Sequence, residues 1–346
     1  MSSIEVNGFT LSQDGTKLIK GSNVEECRIP FGVKVVRKGA FKDALNIKRL
    51  YIPETVEEVE DLAFSSLHIE YVYIPKTVVK WGKDVFMVNS YLRDVEIEPG
   101  LLRWGIRMFS YCTSLEKITI PSSMKELAMY SFECCTNLSY VVIPENMEQI
   151  GDGAFLGCEQ LKQIELPNSI KRIGNSAFQE CQRLKKISLP TSLDSLNDDL
   201  FAFCFSLEEL IIPEGVVVIG DSCFYQCDSL KSIQLPASLR YIAENAFEDC
   251  YDLTIKVPYN SILDDYYNTH SLVDSGKIIK YKARYMGDWE SDKKKCERIL
   301  FELDYKRKKS DEEFRREMEL MTKEEMDREN AILFDALYDD NDLYDL

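Results

Sequence analysis

Hydrophobic positions return along this chain on a beat of 23 residues. Phe109, Phe132, Phe155, Phe178, Phe201, Phe224 and Phe247 are each 23 apart. Each is followed three residues later by a cysteine, from Cys112 to Cys250, and three further on by a leucine, from Leu115 to Leu253. Polar residues fill the gaps. In the unit after Pro144 the inward positions are Met147, Ile150, Ala154, Phe155, Cys158, Leu161, Ile164 and Leu166.

The prolines carry the same beat. All eleven fall in one column, from Pro30 to Pro258, spaced by 22, 23 or 24. Each ends a short alternating segment such as Gln163-Ile164-Glu165-Leu166. Proline donates no hydrogen bond, so it suits the last residue before a turn. The pattern predicts about eleven short parallel strands, one per coil. The Ala-Phe-x-x-Cys-x-x-Leu run predicts a short helix or 3₁₀ turn on the convex side. Gly151 and Gly174 are expected at a tight bend. A period of 20–29 residues with an L-x-x-I-x-I/L core is the signature of a leucine-rich-repeat array. The fold expected is an α/β repeat solenoid: an array with its strands on the concave face, capped, with C-terminal helices.

Outside the repeat, residues 1–23 read as an N-terminal cap. Phe9, Leu11, Leu18 and Ile19 flank Asp14-Gly15, a strong hairpin signal. The repeats run over 24–258. Residues 259–288 read as a C-terminal cap in which Lys277–Ala283 alternates like one further strand. Residues 289–346 read as a helical extension with an acidic tail. Trp289, Cys296, Ile299, Leu300 and Leu303 make one apolar stripe. Ser310-x-x-Glu313 and Thr322-x-x-Glu325 are capping-box signatures for two more helices.

The pattern x-Ile-Pro-x-x-Val-x-x-Ile-Gly-x-x-Ala-Phe-x-x-Cys-x-x-Leu resembles the BspA-like leucine-rich repeats. Pro213 to Leu230 carries it almost intact, with Val216, Ile219, Gly220, Phe224 and Cys227. Gly8 to Gly15 is similar to the cap of bacterial members. In the early coils Ala44, Leu67 and Asn89 stand in the cysteine column. The resemblance implies a right-handed, curved solenoid that binds other proteins, often as a surface or adhesive protein.

Composition narrows the function. The formal net charge of -17 disfavours nucleic acid and anionic membranes as partners. Met1 to Gly8 lacks the segments of a secretory signal peptide, and no run of 18 apolar residues exists. A cytoplasmic protein with reduced thiols is therefore expected, the alternative being an extracellular one exported by another route. His68 and His270 are the only histidines, so no Ser–His or Cys–His pair is evident. Close cysteine pairs are limited to Cys134-Cys135 and Cys223-x₃-Cys227, which does not suit zinc. No enzyme activity, cofactor or metal is expected.

What remains is a scaffold or adaptor for another protein. Outward strand residues change from coil to coil, and Tyr51, Tyr71 and Tyr73 are expected to cluster on neighbouring strands. Tyr140, Val142 and Ile211 are the other candidates on that face. Met318, Met321 and Met326 are candidates on the helices, either gripping a partner or folding back over the last coil.

Overall fold

Each coil contains two extended segments and a turn, and all three stack on their counterparts in the next coil. The computed structural model describes residues 3–243, 245–258, 277–281 and 289–320. The front ladder holds the strands marked by the prolines, eleven of them from Glu26–Arg28 to Thr254–Pro258. Lys277–Tyr281 adds a twelfth, parallel to Thr254–Pro258, as its alternation predicts. There is also a back ladder of two-residue strands, from Val35–Val36 to Tyr241–Ile242. One strand per coil was therefore too few. Two residues are too short to display a period-two pattern.

The turn is not a continuous helix but is half 3₁₀-like. Glu133, Cys135 and Leu138 donate three residues back within the coil, to Tyr130 O, Phe132 O and Cys135 O. Between them Tyr130, Phe132 and Cys134 donate to Asp152, Ala154 and Leu156 of the next coil at 2.7–2.9 Å. The chain reverses through left-handed residues four apart, Tyr130 and Cys134 (φ 56° and 52°), then Gly153 and Gly157 (58° and 70°). On the front ladder Lys48 and Arg49 both reach back to Glu25 O, while Ile29 donates forward to Tyr51 O. Each coil is thus held to both neighbours. That cooperation offsets the left-handed non-glycine residues, which cost roughly 1 kcal/mol each.

Gly174 and Gly220 serve close approach rather than a bend. A Cβ on Gly220 would lie 2.4 Å from Asp198 Oδ1 and 2.7 Å from Asp198 N. Asp198 needs that space because its Oδ1 accepts from Asp221 N at 2.9 Å. Asp152 does the same for Asn175 across Gly174.

The core is a spine of ten buried rings, from Phe41 to Phe247, with successive centroids 5.1–5.8 Å apart. The cysteine column does more than fill space. Each thiol from Cys112 to Cys250 donates to a phenylalanine carbonyl of the preceding coil at 2.9–3.3 Å. Asn89 does the same work with Nδ2, to Phe64 O at 2.9 Å. Burial pushes Cys112 up to about 12 and Cys250 to about 11. At pH 8 a thiol near 12 is roughly one part in ten thousand thiolate. The column should stay silent to a thiol reagent at pH 8 in folded protein, while denatured protein titrates eleven thiols. Fast labelling of the folded column would contradict this geometry.

The cap is an antiparallel meander, Ser3–Val6, Phe9–Ser12 and Lys17–Lys20. Its turns are Asn7-Gly8, both left-handed, and the predicted Asp14-Gly15. Lys17–Lys20 then pairs in parallel with Val35–Val36, so the cap feeds the back ladder.

Among the described residues there is one helix, α1, Trp289–Leu320. It runs through Ser310, where a new helix was expected. Ion pairs Arg298–Glu302 and Asp304–Lys308 span single turns on its surface. The predicted stripe is real: Cys296, Ile299 and Leu303 are buried with Leu300 beside them. They pack on Val217 and Val218 of the back ladder, and Lys295 Nζ donates to Gly215 O at 3.3 Å. Lys295 and Arg298 approach Asp194 at 3.9 and 3.6 Å. The helix therefore rests on the flank of the array rather than over its last coil. The reason is local: Val217 and Val218 occupy places that hold Lys125-Glu126, Glu148-Gln149 and Lys171-Arg172 in earlier coils. Among the described residues no helix is long and apolar enough to cross a membrane. Met321, Met326, His270, the Thr322 capping box and the acidic end lie outside the described residues.

Candidate interaction surface

Alternation along the front strands turns every second side chain outward. In the second and third coils this exposes Arg49 and Tyr51 beside Tyr71 and Tyr73, with Arg49 opposite Tyr71 and Tyr51 opposite Tyr73 in register. Tyr51 leans diagonally onto Tyr71, with ring centroids 5.4 Å apart. Two arginines interleave with the rings. The Arg28 guanidinium lies 3.8 Å over Tyr51, and that of Arg49 lies 4.1 Å over Tyr71. Arg49 Nε also donates to Tyr51 Oη at 3.1 Å. Tyr71 Oη donates to Glu96 of the fourth coil. Burial, then that hydrogen bond and the Glu96 charge, push Tyr71 up to about 12. Burial, then Glu98 and Glu96, also raise Tyr73. Both phenols stay protonated donors at neutral pH. Exposed cation–π pairs contribute roughly 0.5–1 kcal/mol each, enough to fix this chain of side chains before any partner arrives.

Beside the patch the front ladder is broken. Asp94–Ile97 pairs with Tyr71–Ile74, and Lys117–Thr119 pairs with Tyr140–Val142, but among the described residues they do not pair with each other. The back ladder stops at Lys80–Trp81 and resumes at Glu126–Leu127 across the same coil. The coil keeps its length, since Ile74, Ile97 and Ile120 are 23 apart, but Glu98 takes the place that proline holds in Ile74-Pro75 and Ile120-Pro121. Pro99 follows one residue late, which is why the proline spacing is 24 and then 22. Val95 and Ile97 on this strand are only half-buried, whereas Val72 and Ile74 are fully buried. A depression opens at this seam, lined by Arg49, Tyr71, Arg93, Glu96, Lys117 and Tyr140.

The structure therefore brings Tyr51 and Tyr71 together and sets Tyr140, 62% exposed, on the far wall of the same depression. Tyr73 flanks the patch by register, and Val142 is half-buried on the Tyr140 strand. Ile211 stands apart. It is 84% exposed in a second depression with Leu189 and Pro213, beside the Lys186–Glu209 ion pair. Met318 lies on α1. Sequence reasoning did not single out Arg28 or the seam, although the 24-then-22 spacing marks the seam. His68 packs edge-on against Tyr91, with centroids 5.1 Å apart. Among the described residues no three His, Cys, Asp or Glu side chains converge as a metal site would require.

A family described as the BspA type leucine rich repeat region matches residues 15–139 and 125–254, in six copies. No curated protein matches the chain. Among solved structures it is similar to a leucine rich cell surface protein of Faecalibacterium prausnitzii, at 23% identity over 80% of this chain and 99% of that one, with a TM-score of 0.46. It is similar to a leucine-rich repeat protein of Bacteroides ovatus at 21% identity, over 81% and 98%, with a TM-score of 0.45. The pneumococcal vaccine antigen PcpA matches at 18% identity over 82% and 99%, with a TM-score of 0.46.

Proposed function

The chain belongs to the BspA type of leucine-rich repeat proteins, and from that premise we propose that it is a non-enzymatic scaffold that binds another protein through its front face. The observation that carries this reading is the pre-ordered patch of Arg28, Tyr51, Arg49 and Tyr71 at the rim of the seam. Arginine and tyrosine are the residues that most often dominate binding energy, and rigid ones lose little entropy on contact. The walls of the depression carry both signs, Arg49, Arg93 and Lys117 against Asp94 and Glu96. That suits a polypeptide with mixed charge better than a polyanion.

The test is affinity capture from the native cell with wild type, Arg49→Ala/Tyr71→Ala and Ile211→Asp. Loss of two such anchors should weaken capture about thirtyfold or more. Ile211→Asp, in the other depression, should leave capture unchanged. Equal capture by all three, at equal circular dichroism, sinks the front-face reading. A cytoplasmic adaptor and a cell-surface binder would use the same face. Protease treatment of intact cells is the measurement that separates them: protection places the chain inside and digestion outside.

A further inference from the structure

The face of α1 turned away from the array carries Phe301 and Tyr305, 72% and 60% exposed. They are one turn apart and lie opposite the buried Cys296, Ile299 and Leu303. Two large aromatics in one outward stripe mark a contact surface more than scattered apolar residues do. The charge around them says what can approach. The chain as a whole carries -17, so two copies repel over most of their surface. The helix is an exception. Trp289–Leu320 holds ten Lys or Arg and ten Asp or Glu, a difference of zero.

The stripe is also self-complementary. Phe301 and Tyr305 centre it on position 303. Six residues either side stand Glu297 and Lys309, and nine either side the sequence has Lys294 and Glu312. Opposite signs at equal offsets are what a twofold, antiparallel pairing of one helix with itself requires. Across such an axis Phe301 meets Tyr305 of the second copy, and Glu297 meets Lys309 of the second copy. Two like-charged pairs also face each other, Arg298 with Lys308 and Glu302 with Asp304, but they neutralise one another within each helix as the ion pairs Arg298–Glu302 and Asp304–Lys308.

We propose that the outward face of α1 joins two copies of this chain as an antiparallel helix pair centred on Phe301 and Tyr305. The proposal does not rest on the front-face reading, since α1 leaves the front ladder uncovered. Four aromatics bury roughly 600–1,000 Å². That is below the roughly 1,200–2,000 Å² of a tight interface, so the dimer is micromolar.

Sedimentation equilibrium on the full chain, over about 1–200 μM, tests it. Wild type should pass from a 40.0 kDa monomer towards twice that mass. Phe301→Glu/Tyr305→Glu should stay monomeric throughout with an unchanged circular dichroism spectrum. Lys309→Glu alone should weaken the dimer at least several-fold, by facing Glu297 with a like charge. Adding Glu297→Lys should restore it. A wild type that is monomeric at the highest concentration overturns the proposal, as does a dimer that survives the aromatic variant. Failure of the charge swap to restore association overturns the antiparallel register. The Lys309→Glu variant keeps the test valid even if the aromatic variant disturbs the docking of α1.

Discussion

Phe155→Ala is expected to destabilise the array by about 3–5 kcal/mol in urea unfolding, the range for emptying a buried aromatic site. Phe155 sits mid-spine, 5.6 Å from Phe132 and 5.5 Å from Phe178, nearly parallel to both. The surroundings have little freedom to collapse into the gap. Phe155 N donates to Ala177 O and Phe132 N to Ala154 O, which fixes the backbone on both sides. The Cys181 thiol is bonded to Phe155 O. A graded comparison makes the claim sharper. Phe247 ends the described spine, with Phe224 at 5.1 Å as its spine neighbour. Phe247→Ala should therefore cost less, by 1 kcal/mol or more, because a repeat array couples each coil only to its neighbours. Equal losses at the two positions, or a loss at Phe155 below about 1 kcal/mol, would show that the rings are not a continuous core.

The phenylalanine column is the part of this fold that was most legible in sequence, because spacing alone identifies it. The front strands were legible for the same reason, through the prolines. The back ladder was not, because Val218-Ile219 and its counterparts are two residues long. The turn was legible only in part: i, i+3, i+6 spacing announces its bonds three residues back, such as Cys158 N to Phe155 O, but not the bonds that alternate with them and run to the next coil. Its left-handed positions hold Tyr130, Ser176 and Asp199 as well as glycine, so no residue type announces them. Of the candidate surface, Tyr51 and Tyr71 follow from strand alternation, whereas the place of Arg28 above Tyr51 depends on side-chain packing between coils. The landing site of α1 was written in the chain as Val217-Val218, two apolar residues where the neighbouring coils have Asp194-Ser195 and Arg240-Tyr241.

The second large effect is expected at the seam. Trp104 is buried there, edge-on to both Phe109 and Phe132 at 5.6 and 5.8 Å. Its Nε1 donates to Ser131 Oγ at 3.0 Å, and Ser131 Oγ donates to Ala128 O. One indole thus ties the irregular coil to the next, where both ladders are interrupted. Trp104→Ala should cost about 3–5 kcal/mol from the cavity. Trp104→Phe, which keeps a ring and loses the donor, should cost about 1–3 kcal/mol. The alanine variant should also change how the protein unfolds. The ladders lapse again after the seam, at the front between Tyr140–Val142 and Gln163–Ile164 and at the back between Arg172–Ile173 and Ser195–Leu196. At the seam, however, one coil has no back strand at all among the described residues between Lys80–Trp81 and Glu126–Leu127. Weakening its indole joint should therefore split one transition into two. Trp81 belongs to the first block, and the chain has three tryptophans. In a Trp104→Ala/Trp289→Phe protein the Trp81 emission should therefore report the first block, and far-ultraviolet circular dichroism both. Midpoints in urea that separate by these two probes, yet coincide in a Trp289→Phe control, would identify Trp104 as the joint. Coincident midpoints in both would mean that the backbone bonds of the turn, which continue from Phe109 N to Ser131 O across the seam, suffice to couple the blocks.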